Sequence, residues 1–138
     1  MYPLTIHCYV PTKKSMINER MLPMKFLIVD DNTSMREALK KAVMLDQDES
    51  AECDDGKYAV ELYQQFHPDW VLMDIEMSEM DGITATKNII AADSQAKVVI
   101  VTSHDDRFFE RAAKKAGAYK FISKENIVGI QTIVRGES

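Results

Sequence analysis

What most constrains this chain is a repeated alternation between short apolar runs and longer amphipathic stretches. Residues 25–30 (KFLIVD), 69–74 (DWVLMD) and 96–102 (AKVVIVT) are almost continuously apolar over strand length. A weaker strand candidate lies at 50–54, and a fifth at 118–123 (AYKFIS). Such runs fit strands buried on both faces, as in a parallel sheet covered by helices, whereas a half-exposed antiparallel strand would alternate. Five strands, each followed by a helix, predict an α/β fold. The expected form is a doubly wound, five-stranded parallel sheet whose topology is limited by right-handed crossovers.

The punctuation between the runs agrees. Asn32-Thr33-Ser34, with Ser34 and Glu37 at capping-box spacing, opens a helix expected to reach about Leu45. A helix over 56–66 offers Val60, Leu62, Tyr63 and Phe66 to a core face. His67-Pro68 ends it, because the residue before proline is driven out of the right-handed helical region. Asp81 to about Ala92 and residues 106–116 read as the next helices, the second stopped by Gly117 as a left-handed cap. Residues 126–135 make a short last helix.

At 138 residues the chain suits one domain, and 46% hydrophobic residues suffice for a real core. No uninterrupted apolar run approaches the roughly 18 residues of a membrane helix, so no membrane insertion is expected. A net charge of −5 argues against direct nucleic-acid binding, which wants a basic face. Cys8 and Cys53 form no CxxC pair and no disulfide framework, so a cytoplasmic location is expected. The first 24 residues differ from the rest: three prolines, no sustained period, and charges at Lys13, Lys14, Glu19 and Arg20 netting +2. They lack the layout of a signal peptide. They are expected to stand outside the domain, as a poorly ordered leader or an over-long start assignment, with the domain occupying 25–138.

In open parallel sheets the functional crevice lies beyond the carboxyl ends of the strands. Chemistry-bearing residues should therefore collect there. Strand one ends in Asp30-Asp31, strand three in Asp74, strand four in Thr102-Ser103, and strand five runs out at Lys124. Singly, each has an ordinary reading: a helix-capping acid, a strand-end threonine, a surface lysine. Together they are complementary. Converging carboxylates repel one another and stay ionised only with a cation among them. A few carboxylates completed by water and phosphate oxygens suit Mg²⁺ better than Ca²⁺. A hydroxyl and an ammonium at the same rim are what a phosphoryl group needs.

The chain resembles the receiver domain of bacterial two-component response regulators. The likeness rests on LIVDDN (27–32), VLMDIEMSEMDG (71–82), VVIVTS (98–103) and GAYKFISK (117–124), taken in order, and spans about residues 25–135. It implies a flavodoxin-like (βα)5 fold with strand order 2-1-3-4-5. It makes Asp74 the phospho-acceptor and Asp31 its main acidic partner on Mg²⁺. Asp30 then acts largely through a water, and the backbone carbonyl of Glu76 is a further ligand. Thr102 corresponds to the hydroxyl that bonds a phosphoryl oxygen, Lys124 to the lysine that pairs with the phosphoryl group, and Phe121 to the aromatic switch position. Lys120 lies near the start of strand five, at the wrong end of the sheet, which favours Lys124. Two departures stand out: Ser78 where many receivers have proline, and Glu125 where many have proline across a cis bond.

The resemblance implies a signalling domain rather than an enzyme acting on a separate substrate. It would catalyse its own phosphorylation and slow dephosphorylation. The expected donor is a sensor histidine kinase or a histidine phosphotransfer protein. Glu76 and His104 would flank the pocket and influence the access of water to the acyl phosphate. Only Gly136-Glu137-Ser138 follow Arg135, so output is expected to pass through a separate downstream protein. The surface implied is helix four, strand five and helix five, with Phe108, Phe109, Arg111, Lys114, Lys115 and Tyr119. Two alternatives are a phosphorylation-independent binding module and a Mg²⁺-dependent phosphatase. The latter's DxDxT pattern is not matched by DIEMS (74–78).

Overall fold

A computed structural model describes residues 22–77, 79–103 and 107–136. The apolar runs form β1 (Lys25–Val29), β2 (Glu49–Cys53), β3 (Trp70–Met73), β4 (Val98–Thr102) and β5 (Lys120–Ser123). Between and after them lie α1 (Thr33–Val43), α2 (Ala59–Phe66), α3 (Gly82–Ala92), α4 (Arg107–Ala116) and α5 (Ile130–Arg135). All neighbouring strands are parallel, in the order β2-β1-β3-β4-β5. The expected doubly wound α/β architecture and strand order are those adopted.

The central strands divide their side chains between two cores, since successive residues point to opposite faces of a sheet. Phe26, Ile28, Trp70, Leu72, Val99 and Val101 pack with Leu39 and Val43 of α1 and Ile130 and Val134 of α5. Leu27, Val29, Val71, Met73, Val98 and Ile100 pack on the other side with Tyr63 of α2, Ile89 of α3 and Ala113 of α4. Each fully buried Leu, Ile, Val or Phe contributes about 1.5–3 kcal/mol. That is why runs too apolar for a one-sided strand are stable only beneath two helix layers.

Local chemistry moves several boundaries from those expected. The N-cap of α1 is Asn32, whose side chain accepts from the Met35 N–H at 2.8 Å, so Ser34 lies inside the first turn. The helix stops at Val43 rather than near Leu45, because the Leu45 N–H is taken by Asp48 Oδ2 at 2.7 Å. Residues 56–66 open as a 3₁₀ turn (Gly56–Tyr58) before α2, and a longer 3₁₀ segment (Lys124–Gly129) precedes α5. His67 does leave the right-handed region before Pro68, but into the left-handed one (φ 54°, ψ 59°). Gly117 closes α4 at φ 104°, with the Ala118 N–H bonded to the Ala113 carbonyl at 3.0 Å.

At the amino end of the sheet, buried Arg135 forms an ion pair with Asp48 and donates to the Val43 carbonyl at 3.0 Å. This ties α5 to the α1–β2 connection. Met24 is already fastened there, its N–H donating to Asp48 Oδ1 at 2.8 Å. Residues 1–21, most of the expected leader and including Cys8, fall outside the described residues, as do Ser78 and His104. No helix among the described residues is long and apolar enough to cross a membrane.

Candidate functional site

The sheet itself brings two of the acids together. β1 and β3 are neighbours in register, Val29 opposite Met73, and the next residues of each strand are Asp30 and Asp74. The backbone ladder runs on into the site: the Asp74 N–H donates to the Val29 carbonyl at 2.9 Å and the Asp30 N–H to Cys53 at 3.2 Å. Asp30 and Asp74 are buried and Asp31 is exposed. One carboxylate oxygen from each of the three lies within 4.8 Å of the others. Lys124, directly after β5, reaches across, its Nζ 3.0 Å from Asp30 Oδ2 and 3.4 Å from Asp74 Oδ1. Thr102 ends β4, fully buried, opposite Ser123 of β5.

Burial, together with the negative charge of Asp30, pushes the Asp74 carboxyl up from 3.8 to about 6, against the opposing pull of Lys124. Burial alone would lower the Lys124 ammonium, but its contacts with Asp30 and Asp74 outweigh this and raise it. Asp30 Oδ1 accepts from the Asn32 N–H at 2.8 Å, and its buried Oδ2 is paired with the Lys124 ammonium at 3.0 Å. Three convergent carboxylate oxygens form a hard-oxygen set suited to a divalent ion that keeps several waters. Such an ion would relieve the repulsion that raises Asp74. The residues present therefore fit Mg²⁺.

The segment after Asp74 is shaped by close approach. A Cβ on Gly82 would lie 1.8 Å from the Asp74 carbonyl oxygen, and the Gly82 N–H donates to the Ile75 carbonyl at 2.8 Å. Only a glycine lets the start of α3 rest on the backbone of Asp74. The strand-end reading missed Asp55, which is buried and grips the same segment from the side. Its Oδ2 accepts from the Glu79 N–H at 2.7 Å, and its Oδ1 from the Met80 and Lys57 N–H groups at 3.0 Å each. Burial would raise this carboxyl, but the three backbone donors together hold it below the usual carboxylate range. The signal was available: Asp54-Asp55 follows β2 as Asp30-Asp31 follows β1.

The remaining candidates are dispersed around this centre. Glu76 is exposed, two residues past Asp74. Phe121 is half-buried opposite Ile100, bordering a 290 Å³ hollow lined also by Glu110, Lys114, Ala118, Tyr119 and Lys120. Lys120 is exposed at the start of β5 and is not brought to the carboxylates, whereas Lys124 is. No cis peptide bond occurs among the described residues, so Lys124–Glu125 is trans. On the α4 side, Phe108 and Tyr119 are 72% and 55% exposed.

A doubly wound sheet with acids beyond β1 and β3 and a lysine beyond β5 defines the class of receiver domains. Residues 26–134 match the response regulator receiver domain family, and the chain belongs to it. It is 42% identical over 101 residues to the chemotaxis protein CheY of Bacillus subtilis, covering 72% of this chain and 84% of that protein. The transcriptional regulatory protein DegU of Brevibacillus brevis is 32% identical over 111 residues, 79% of this chain. The chain spans 46% of that longer relative. Among solved structures, the response regulator domain of Thermotoga maritima CheB superposes with a TM-score of 0.71 at 27% identity, covering 81% of this chain and 93% of that one. A two-component response regulator of the LuxR family from Aurantimonas gives 0.74 at 29% identity, covering 83% and 87%.

Proposed function

We propose that this receiver domain takes a phosphoryl group onto Asp74 from a phosphohistidine of a sensor histidine kinase or a histidine phosphotransfer protein. The observation that carries the reading is the meeting of Asp30, Asp31, Asp74 and Lys124 at one point of the sheet's carboxyl edge. Asp74 is the nucleophile. Its carboxylate oxygen forms the new bond to phosphorus as the bond from phosphorus to the histidine nitrogen breaks, and the imidazole leaves with the electron pair. Lys124 already sits where it can exchange its contact with Asp74 for one with a phosphoryl oxygen. Asp30, Asp31, Asp74 and the backbone carbonyl of Glu76 would hold Mg²⁺. When bound, the ion supplies positive charge that offsets the phosphoryl oxygens and keeps Asp74 ionised.

Thr102 is assigned the hydroxyl contact to the phosphoryl group and Phe121 the switch. Drawing the Thr102 hydroxyl toward a phosphoryl oxygen shifts the end of β4 and frees space into which Phe121, on neighbouring β5, turns. The differential contacts of the phosphoryl group in the two states bound the size of this shift. The readout surface is α4, β5 and α5, where exposed Phe108 and Tyr119 lie beside Arg111, Lys114 and Lys115. That mixture of apolar and basic groups suits a separate protein partner.

The test is incubation with Mg²⁺ and acetyl phosphate followed by intact-mass measurement. One phosphoryl adduct is expected on the wild-type chain and none on Asp74→Asn. An adduct that persists in the variant removes Asp74 from the role.

A further inference from the structure

We infer that Asp55 is a positioning residue for the metal site: from the β2–α2 turn it fixes the backbone after Asp74 in the shape that Mg²⁺ binding needs. The inference rests on the proposed phospho-acceptor reading and adds to it a residue that touches neither the metal nor the reacting atoms. The segment from Ile75 to Gly82 is closed at its base by the Gly82 N–H to Ile75 carbonyl bond. It carries the Glu76 carbonyl on its way out. On its return it has two amides, Glu79 and Met80, that both donate to one buried carboxylate on a different connection.

Asp55 is itself held from below. It accepts from the Lys57 N–H, and the neighbouring Gly56 packs so tightly that a Cβ there would meet the Met80 carbonyl at 2.7 Å. The two turns are thus in backbone contact, with Lys57 and Glu79 adding an ion pair at 2.7 Å on the outside. An ionised, buried carboxylate receiving three amides is a rigid anchor, since each donor it loses leaves an uncompensated charge or a buried unpaired N–H. Mutating groups that orient metal ligands from one layer out commonly costs about 10–100-fold in metal affinity. With the anchor in place, the Glu76 carbonyl is presented in a fixed position. Without it, the Glu79 and Met80 amides lose their shared buried acceptor, and the outer Lys57–Glu79 ion pair is left as a weaker, exposed tie between the two turns.

The experiment is calorimetric titration of Mg²⁺ into the full-length wild-type chain, Asp55→Asn and Asp55→Ala, with circular dichroism to score folding. The initial rate of phosphorylation by acetyl phosphate is measured alongside as a function of Mg²⁺. Asparagine keeps the shape but cannot accept from the Glu79 amide, so Asp55→Asn should bind Mg²⁺ about tenfold more weakly. The Mg²⁺ concentration for half-maximal rate should rise in proportion, and the rate at saturating Mg²⁺ should stay near that of the wild type. A purely structural role would instead lower stability and leave the affinity of the folded fraction alone. A folded Asp55→Asn with wild-type affinity overturns the inference. Should both Asp55 variants fail to fold, Glu79→Pro removes one donor while leaving Asp55 in place. It must show the same weakening, and wild-type affinity there overturns the inference equally. Failure of the underlying reading is separate, because it appears in the wild-type arm as absent Mg²⁺ binding or an adduct indifferent to Asp74.

Discussion

Gly82 lies against the main chain of Asp74 so closely that any Cβ at this position would penetrate the Asp74 carbonyl, at 1.8 Å from its oxygen. The first residue of α3 and Asp74 are therefore one packed unit. Gly82→Ala must displace either the helix or the carboxylate-bearing backbone. We expect a loss of about 2–3 kcal/mol of stability, at the upper end of overpacking costs. Phosphorylation by acetyl phosphate should fall even in the folded fraction. Urea unfolding and intact-mass measurement on the same sample check both.

Asp74 should make stability depend on pH in a direction opposite to an ordinary ion-paired acid. Its folded carboxyl titrates at about 6 rather than 3.8, so the fold favours the protonated form. The associated stability is present below the lower value and is lost as pH rises through the higher one. Without Mg²⁺ at pH 7.5, Asp74→Asn should therefore be more stable than wild type by about 1–2 kcal/mol, allowing for solvent screening. The gap should close as the pH is lowered below 6. Thermal melts across pH, with and without Mg²⁺, read this out, and Mg²⁺ should stabilise the wild type more than the variant.

The same titration limits the chemistry. In the proposed transfer only the ionised carboxylate can attack phosphorus, so at low Mg²⁺ the initial rate should fall as pH drops through about 6. Lys124→Met removes a positive neighbour that holds the Asp74 carboxyl down, and should move that fall to higher pH. A rate profile measured with acetyl phosphate gives the midpoint for each protein.

Thr86, in α3, is fully buried, and its hydroxyl has no hydrogen-bond partner among the described residues. Valine has nearly the same shape without the unpaired oxygen. Thr86→Val should raise stability by about 1–2 kcal/mol, the cost of burying an unmatched polar group. The urea midpoint should shift upward with no change in slope.

Asp48 and Arg135 are both largely buried and pair across the amino end of the sheet. Removing either one leaves the other's charge uncompensated, so Asp48→Asn or Arg135→Met alone should cost about 3–5 kcal/mol. Asp48→Asn combined with Arg135→Met should cost less than the sum of the two, since no charge is then left unpaired while the asparagine keeps an acceptor for the Met24 or Leu45 N–H. Denaturation of the two single variants and the double variant tests the coupling.

Residues whose role follows from strand polarity were legible in the sequence. Apolar runs located the sheet, and the rule that function collects at strand ends picked out Asp30, Asp74 and Lys124 and preferred Lys124 to Lys120. What could not be read were choices settled by competition between neighbouring polar groups. Asn32 rather than Ser34 caps α1, and Asp48 captures the Leu45 amide and shortens that helix. The acid pair after β2 marks Asp55 as a strand-end residue, but its partners, the Glu79 and Met80 amides, are more than twenty residues away and no local pattern names them.

The register of Val29 against Met73 means that the spacing of Asp30 and Asp74 is inherited from the inter-strand ladder rather than from flexible side chains. Moving the backbones of these two residues apart means opening the ends of β1 and the central strand β3. The pairing of Asp30 with Asp74 is therefore expected to share the stability of β1 and β3. Amide exchange at Asp30 and Asp74 should be as slow as at the centre of the sheet, and competence for phosphate should vanish in step with global unfolding.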